Sequence, residues 1–212
     1  TLGHEFAGTV VAIGKNVRHV AEGDYVSAES HVTCGMCFHC RTGQAHMCEQ
    51  TRILGVDRDG GFADYVVVPA AVVWRNNRLK MPPEIACLQE PFGNAVFATS
   101  TQELAGRAVA VLGCGPVGLF TIAIARAFGA GRLLASDHVP YRMELAKKLG
   151  ADAVVNVDEV DDVPAYNLHV PVFRPSVRSD AQLPAFARQP ARQRLVRPLA
   201  VGPRRIPAAE RL

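Results

Sequence analysis

Four of the six cysteines fall close together, as Cys34, Cys37, Cys40 and Cys48. Their spacing, C-x2-C-x2-C-x7-C, lets tight turns aim neighbouring sulfurs at one point while a loop brings in the fourth. Four thiolates around one ion form a closed tetrahedral site, so structural zinc is the expected metal. Two other readings stay open: an iron–sulfur cluster, which uses the same ligand type, and unpaired core cysteines. The loop around the sulfurs (Gly35, His39, Arg41, Thr42, Gly43) is polar and buries little. Metal binding is therefore expected to supply much of its local stability. With four thiolates satisfying the ion, His39 and His46 are expected at the surface. Clustered cysteines, with only Cys87 and Cys114 elsewhere, speak for reduced thiols and against a secreted disulfide scaffold.

A second constellation is Gly113-x-Gly115-x-x-Gly118, followed 19 residues later by Asp137. On its own the glycine pattern is weak. Here it follows an expected strand and opens an expected helix, with the acidic residue at the end of the next strand, which is the context of a dinucleotide site. Gly113 permits the tight turn, Gly115 lets backbone approach a pyrophosphate, and Gly118 lets helix and strand pack closely. The helix N-terminus faces the anion. Asp137 would accept from the ribose hydroxyls and repel a 2′-phosphate, which favours NAD over NADP. A tight strand-to-helix turn without ligand is the plain alternative. Cys114, inside the turn, reads as a small apolar filler.

These residues need elements to hold them. Phe6–Ile13, Tyr25–Ala28 and Phe62–Val68 read as short strands between glycine turns, hence a small β-barrel or sandwich. Pro82, Pro83 and Pro91 punctuate the connection that follows. From Arg107 the order changes to strand Ala108–Leu112, helix Leu119–Phe128, strand Arg132–Ser136, helix Arg142–Leu149 and strand Ala153–Val157. That alternation predicts a parallel sheet with crossover helices, three strands wide and open at its edge.

The sequence has 212 residues, 49% hydrophobic and 20% charged, without a stretch of about 18 apolar residues that could span a membrane. Its net charge of +3 hides two compositions. Residues 164–212 carry nine Arg, no Lys, one Asp and one Glu, with eight of the 14 prolines, whereas residues 1–163 are net acidic. No sustained period of 2 or 3.6 runs through that tail.

GHEFAGTVVAIG, EGDYV, the cysteine loop, GGFADY and the glycine turn together resemble the zinc-dependent medium-chain alcohol dehydrogenases in order and spacing. ILGVDRDGGFADYVVVPA and EPFGNAV are similar to the L-threonine 3-dehydrogenase branch. The resemblance runs from about Gly3 to Val160. It implies a partial GroES-like catalytic barrel joined to a partial Rossmann doubly wound sheet, with catalytic zinc in the cleft. It also implies that His4 and Glu5 are catalytic-zinc ligands, that Glu90 serves a proton relay, and that Val117, Asp137 and Arg142 contact NAD. The expected domains are 1–100 (barrel and connection), 101–162 (first Rossmann half) and 163–212 (anomalous tail, possible out-of-frame translation).

The implied reaction is oxidation of L-threonine to 2-amino-3-oxobutanoate with NAD. Another secondary alcohol or a polyol is the alternative substrate. A non-enzymatic zinc-stabilised module with a basic tail is the alternative class. The sequence begins after the segment where the family carries a zinc cysteine and relay residues, and Phe97 stands where the family usually has His. This chain alone is therefore expected to be inactive. Its expected partners are a small-molecule substrate and, in full-length relatives, three further copies in a homotetramer. Neither a membrane nor a nucleic acid is expected, and the thiols and the family place it in the cytoplasm.

Overall fold

Short apolar, β-branched runs between glycine turns form the strands of the first ninety residues. The structure is a computed structural model and describes residues 1–159 and the strand at 172–173. β1 (Ala7–Thr9) pairs antiparallel with β2 (Tyr25–Ala28). The two-residue strands β3 (His31–Val32) and β4 (Arg52–Ile53) make a separate antiparallel pair. Between them lies the cysteine loop, with one turn of helix, α1 (Phe38–Arg41), and a 3-10 turn at Ala45–Met47. β5 (Val73–Arg75) completes the three-stranded sheet in the order β1-β2-β5. Ala28, Leu54 and Val72 form its small core, with Phe6, Val32 and Val68 packed against them.

Two expectations differ here. Phe6–Ile13 contracts to the three residues of β1, and Phe62–Val68 is not a strand. The reason is pairing: Phe62 N–H donates to the Leu2 carbonyl, as Gly60 and Gly61 do to Thr1 and Gly3. Past that point no ladder continues among the described residues, so a β-prone sequence stays irregular.

The prolines read as punctuation open helices instead. α2 (Pro83–Ala86) begins on Pro83, and α3 (Gln89–Ser100) holds Pro91 in its first turn. Proline suits these positions because the first turn has no intrahelical use for its N–H. The described residues divide into two compact units between Glu90 and Pro91, near the start of α3.

In the second unit β6 (Ala108–Leu112), α4 (Pro116–Ala127), β7 (Arg132–Asp137), α5 (Pro140–Lys148) and β8 (Ala153–Asn156) follow in the expected alternation. Both helices start earlier than expected because each has a proline at its first positions. The sheet is parallel, in the order β8-β7-β6-β9, where β9 is Val172–Phe173. β9 pairs with Ala110 and Val111. The expected open edge of β6 thus carries two residues of parallel ladder, and the rest of the expected tail lies outside the described residues. Val109, Val111, Cys114, Ile122, Ala125, Leu133 and Ala146 form the core between sheet and helices.

Arg126 clamps this unit. Its guanidinium donates to the carbonyls of Gly150 (2.6 and 3.1 Å) and Ala130 (3.0 Å) and pairs with Asp152 at 2.7 Å. Arg126→Met keeps the apolar stem and removes all of these bonds. It is expected to cost about 2 kcal/mol, the usual scale for hydrogen bonds from a charged group. Urea unfolding of the second unit checks it; an unchanged midpoint would show that the clamp contributes nothing.

Candidate functional site

The sulfur lobe is built on turns rather than on a core. Cys37 caps α1, Cys40 sits within it, and Cys48 ends the 3-10 turn. The helix buries none of its residues, while Met36, Phe38 and Met47 are exposed. All six cysteines are free thiols. The sulfurs of Cys34, Cys37, Cys40 and Cys48 lie within 4.8 Å of one another, with Cys34 and Cys40 at 4.0 Å. Tetrahedral Zn–S bonds of about 2.3 Å put the sulfurs about 3.8 Å apart, so this donor set fits one zinc ion. Ligands spread over the separate irons of a cluster would stand farther apart.

Backbone N–H groups already aim at these sulfurs. Cys34 Sγ accepts from Met36 and Cys37, and Cys48 Sγ accepts from Cys34 and Gln50, at 3.3–3.4 Å. The Cys34 N–H, followed by that of Gln50, draws the Cys48 thiol down to about 6. Cys37 is lowered chiefly by the Cys40 N–H, whereas burial, and next the Cys37 sulfur, push Cys40 up to about 11. His46 is exposed, as expected. His39 is half-buried, its ring edge-on to that of Phe38, and its Nδ1 is buried without a hydrogen-bond partner.

His4 and Glu5 lie on the irregular segment leading into β1. Two glycines allow it to lie where it does. A Cβ on Gly60 would come within 2.1 Å of the Gly3 carbonyl oxygen, and one on Gly55 within 2.7 Å of the same atom. Glu90 arrives from the start of α3. Far from being a surface carboxylate, it is only 7% exposed and accepts from Ser30 Oγ at 2.7 Å. One donor atom each from His4, Glu5 and Glu90 lies within 4.8 Å of the others. One imidazole nitrogen and two carboxylate oxygens are a donor set that zinc accepts. Glu29, Ser30 and His31 also adjoin Glu90 and carry no expectation from the sequence. No motif marks them, and only their place at the end of β2 brings them here.

The glycine turn has the geometry that its pattern implies. Gly113 adopts φ +96°, and a Cβ on Gly118 would stand 1.9 Å from the Gly113 oxygen. Nothing lies within 4 Å of a Cβ placed on Gly115, so the backbone there is open to a ligand. Gly115 caps α4 without any side-chain bond, leaving the first N–H groups of the helix for an anion. Val117 is half-buried in the first turn of α4, Arg142 is exposed on α5, and Cys114 is fully buried in the core. Burial, then Asp137, raise the Cys114 thiol to about 11, consistent with an inert filler.

Asp137 differs in one respect. Its Oδ2 accepts from Cys114 N–H at 2.7 Å and its Oδ1 from His138 and Val139 N–H at 2.8 Å. A carboxylate offers about four acceptor sites, so three are spent on the turn itself. Burial pushes this carboxyl up, but the N–H groups of Val139, Cys114 and His138, with Arg142, outweigh it and hold the group below its ordinary value. The stability that this lends is complete above the ordinary value of 3.8 and is lost as pH falls through the depressed one. Asp137→Asn should therefore destabilise the second unit at neutral pH, and the deficit should shrink on acidification below about pH 4. Urea midpoints at both pH values check this; a deficit independent of pH would refute it.

Two known families match the chain. The family described as "Alcohol dehydrogenase GroES-like domain" matches residues 1–78, and "Zinc-binding dehydrogenase" matches residues 116–168. L-threonine 3-dehydrogenase of Bacillus licheniformis is 51% identical over 159 residues, 75% of this chain and 46% of that protein. The enzyme of that name from Caldanaerobacter subterraneus subsp. tengcongensis is 52% identical over 156 residues, 74% of this chain and 45% of its own length. Galactitol-1-phosphate dehydrogenase from Escherichia coli is a structural neighbour with TM-score 0.70 and 34% identity, over 76% of this chain and 46% of that one. The chain thus spans about half the length of the proteins it matches.

Proposed function

Because the chain belongs to the zinc-dependent medium-chain alcohol dehydrogenase superfamily, we propose that its residues serve an NAD-dependent oxidoreductase acting on the 3-hydroxyl of L-threonine. The product is 2-amino-3-oxobutanoate. The observation that carries the reaction class is the convergence of His4, Glu5 and the buried Glu90 within 4.8 Å. The threonine assignment leans on the relatives of about 50% identity.

His4 and Glu5 are the residues that would hold zinc, whose Lewis acidity lowers the pKa of a substrate hydroxyl. Bound NAD would supply the acceptor for the carbinol hydride. The chain's own residues do the rest. Glu90 takes the hydroxyl proton onto its carboxylate, in a buried place from which bulk water is largely excluded. Gly115 and the N-terminus of α4 receive the pyrophosphate, and Val117 and Arg142 flank the cofactor. Asp137 uses its remaining acceptor site for a ribose hydroxyl, and its charge repels a 2′-phosphate. The four cysteines hold a second, structural zinc.

The test uses an enzyme of the relatives' full length carrying these residues, assayed against threonine, butanediol and polyols. Threonine-dependent NADH formation, lost in Glu90→Gln while NAD binding persists, is the expected result. Preference for a polyol would overturn the substrate, and oxidation of no alcohol would overturn the class. The 212-residue chain alone should form no measurable NADH from threonine; sustained turnover by it would overturn that expectation. We assign the full-length enzyme to a cytoplasmic homotetramer, which sedimentation and fractionation would check. No helix among the described residues is long and apolar enough to cross a membrane.

A further inference from the structure

Ser30 belongs to no motif, yet it is 1% exposed and sits at the centre of a polar chain beside Glu90. Backbone bonds fix its place at the end of β2: Glu29 N–H donates to the Val72 carbonyl, and the Ser30 carbonyl accepts from Leu54 N–H. The side-chain order follows from hydrogen-bond chemistry. His31 Nδ1 lies 2.7 Å from Glu29 Oε1, too close for two lone pairs to face each other, so Nδ1 carries the proton. Ser30 Oγ, 3.0 Å from that nitrogen, is then placed as its second acceptor. The one hydroxyl proton of Ser30 goes to Glu90 Oε1 at 2.7 Å rather than to Glu29 Oε1, which stands at 3.5 Å. Glu29 is braced further by the His31 backbone N–H at 3.0 Å.

We propose that Ser30 is a positioning residue for Glu90: its hydroxyl, backed by the Glu29–His31 pair, holds the carboxylate in the orientation that meets His4 and Glu5. The importance of that orientation rests on the dehydrogenase reading, but the hydrogen bond does not. A charge-assisted O–H···O− bond is short and directional. It removes rotational freedom from a glutamate that otherwise has three free torsions, which is how a carboxylate is kept within reach of a reacting proton. A serine that merely filled space would leave Glu90 indifferent to the loss of its hydroxyl.

The experiment is carbon-13 NMR of the 212-residue chain labelled at glutamate carboxyls, with the Glu90 resonance identified by its loss in Glu90→Gln. Ser30→Ala should shift that resonance at constant pH, and Ser30→Thr, which restores a hydroxyl, should return it towards its original position. An unmoved resonance in Ser30→Ala would overturn the proposal, as would a shift that Ser30→Thr, folded, fails to reverse. A second measurement needs no substitution at Ser30. In mixed H2O and D2O the Glu90 carbon of the unmodified chain should show an isotope shift from its hydroxyl partner, and absence of that shift would overturn the proposal equally. Neither measurement needs turnover, so failure of the dehydrogenase reading and failure of the Ser30 role are separately visible.

Discussion

Cys48→Ser is expected to release the metal of the sulfur lobe and open the chain between Cys34 and Cys48. Cys48 is the buried member of the four, and its sulfur already gathers N–H groups from Cys34 and Gln50. A serine hydroxyl keeps almost none of this. It does not ionise near neutral pH, its shorter bond to Cβ withdraws the donor atom from the centre, and oxygen is a poorer zinc partner than thiolate here. The loop has nothing else to fall back on. α1 buries no residue, and Met36, Phe38 and Met47 face outward, so hydrophobic burial cannot replace the ion. Metal analysis should fall by one zinc per chain, and trypsin should cut faster after Arg41, an exposed residue whose helical turn slows cleavage only while the loop is held. Cys87→Ser, outside the cluster, is the control and should change neither. Zinc retained at the original stoichiometry with cleavage at Arg41 no faster would show that three sulfurs suffice.

The parallel sheet was legible in the sequence because two signals coincide in it. Ala108–Leu112 and Arg132–Ser136 are largely apolar runs of strand length, and each is followed by a turn residue, Gly113 or Asp137, a few residues ahead of a helix. The helix starts were less legible because proline has two meanings. Pro116 and Pro140 both occupy the first helical position, where the missing N–H costs nothing, yet in a string of residues each looks like a stop. The same ambiguity hid α2 and α3 behind Pro83 and Pro91. Phe62–Val68 failed for the opposite reason. Its composition suits a strand, but strand formation needs a partner, and the described residues give Phe62 only Leu2.

The candidate site divides along similar lines. The four cysteines and the glycine turn are local in sequence, so their spacing alone implies their geometry. Glu90 is far in sequence from the adjacent His4 and Glu5, and the three came together only through resemblance, which placed Glu90 in a segment that looks like an ordinary helix start. Glu29, Ser30 and His31 had no signal of either kind. Their proximity to Glu90 arises from the register of β2, where Ser27 stands opposite Trp74 and the strand ends at Ala28. Gly55 and Gly60 belong with them. Read singly they are turn residues, but in three dimensions they are the surface on which Gly3 rests.

Gly118→Ala should disable the dinucleotide turn more severely than any substitution at Gly115. The added methyl would lie 1.9 Å from the Gly113 carbonyl oxygen and 3.0 Å from its carbon, both backbone atoms that cannot rotate away. Relief would have to come from moving α4 off β6, against a core in which Val111, Ile122 and Ala125 are already buried beneath them. Overpacking of this kind costs about 1–3 kcal/mol where side chains can yield, and a backbone clash sits at or beyond the top of that range. Gly113, held at φ +96° and bonded through its N–H to the Ser136 carbonyl, cannot absorb the shift without breaking the link to β7. Gly115→Ala meets no atom within 4 Å, so the fold should tolerate it while a bound pyrophosphate would not. The two variants therefore separate architecture from binding. Calorimetric titration with NAD should fail in both, but only Gly118→Ala should lower the urea midpoint of the second unit. Equal stability of the two variants would mean that the helix can shift freely and that the close contact of α4 with Gly113 is not what shapes the turn.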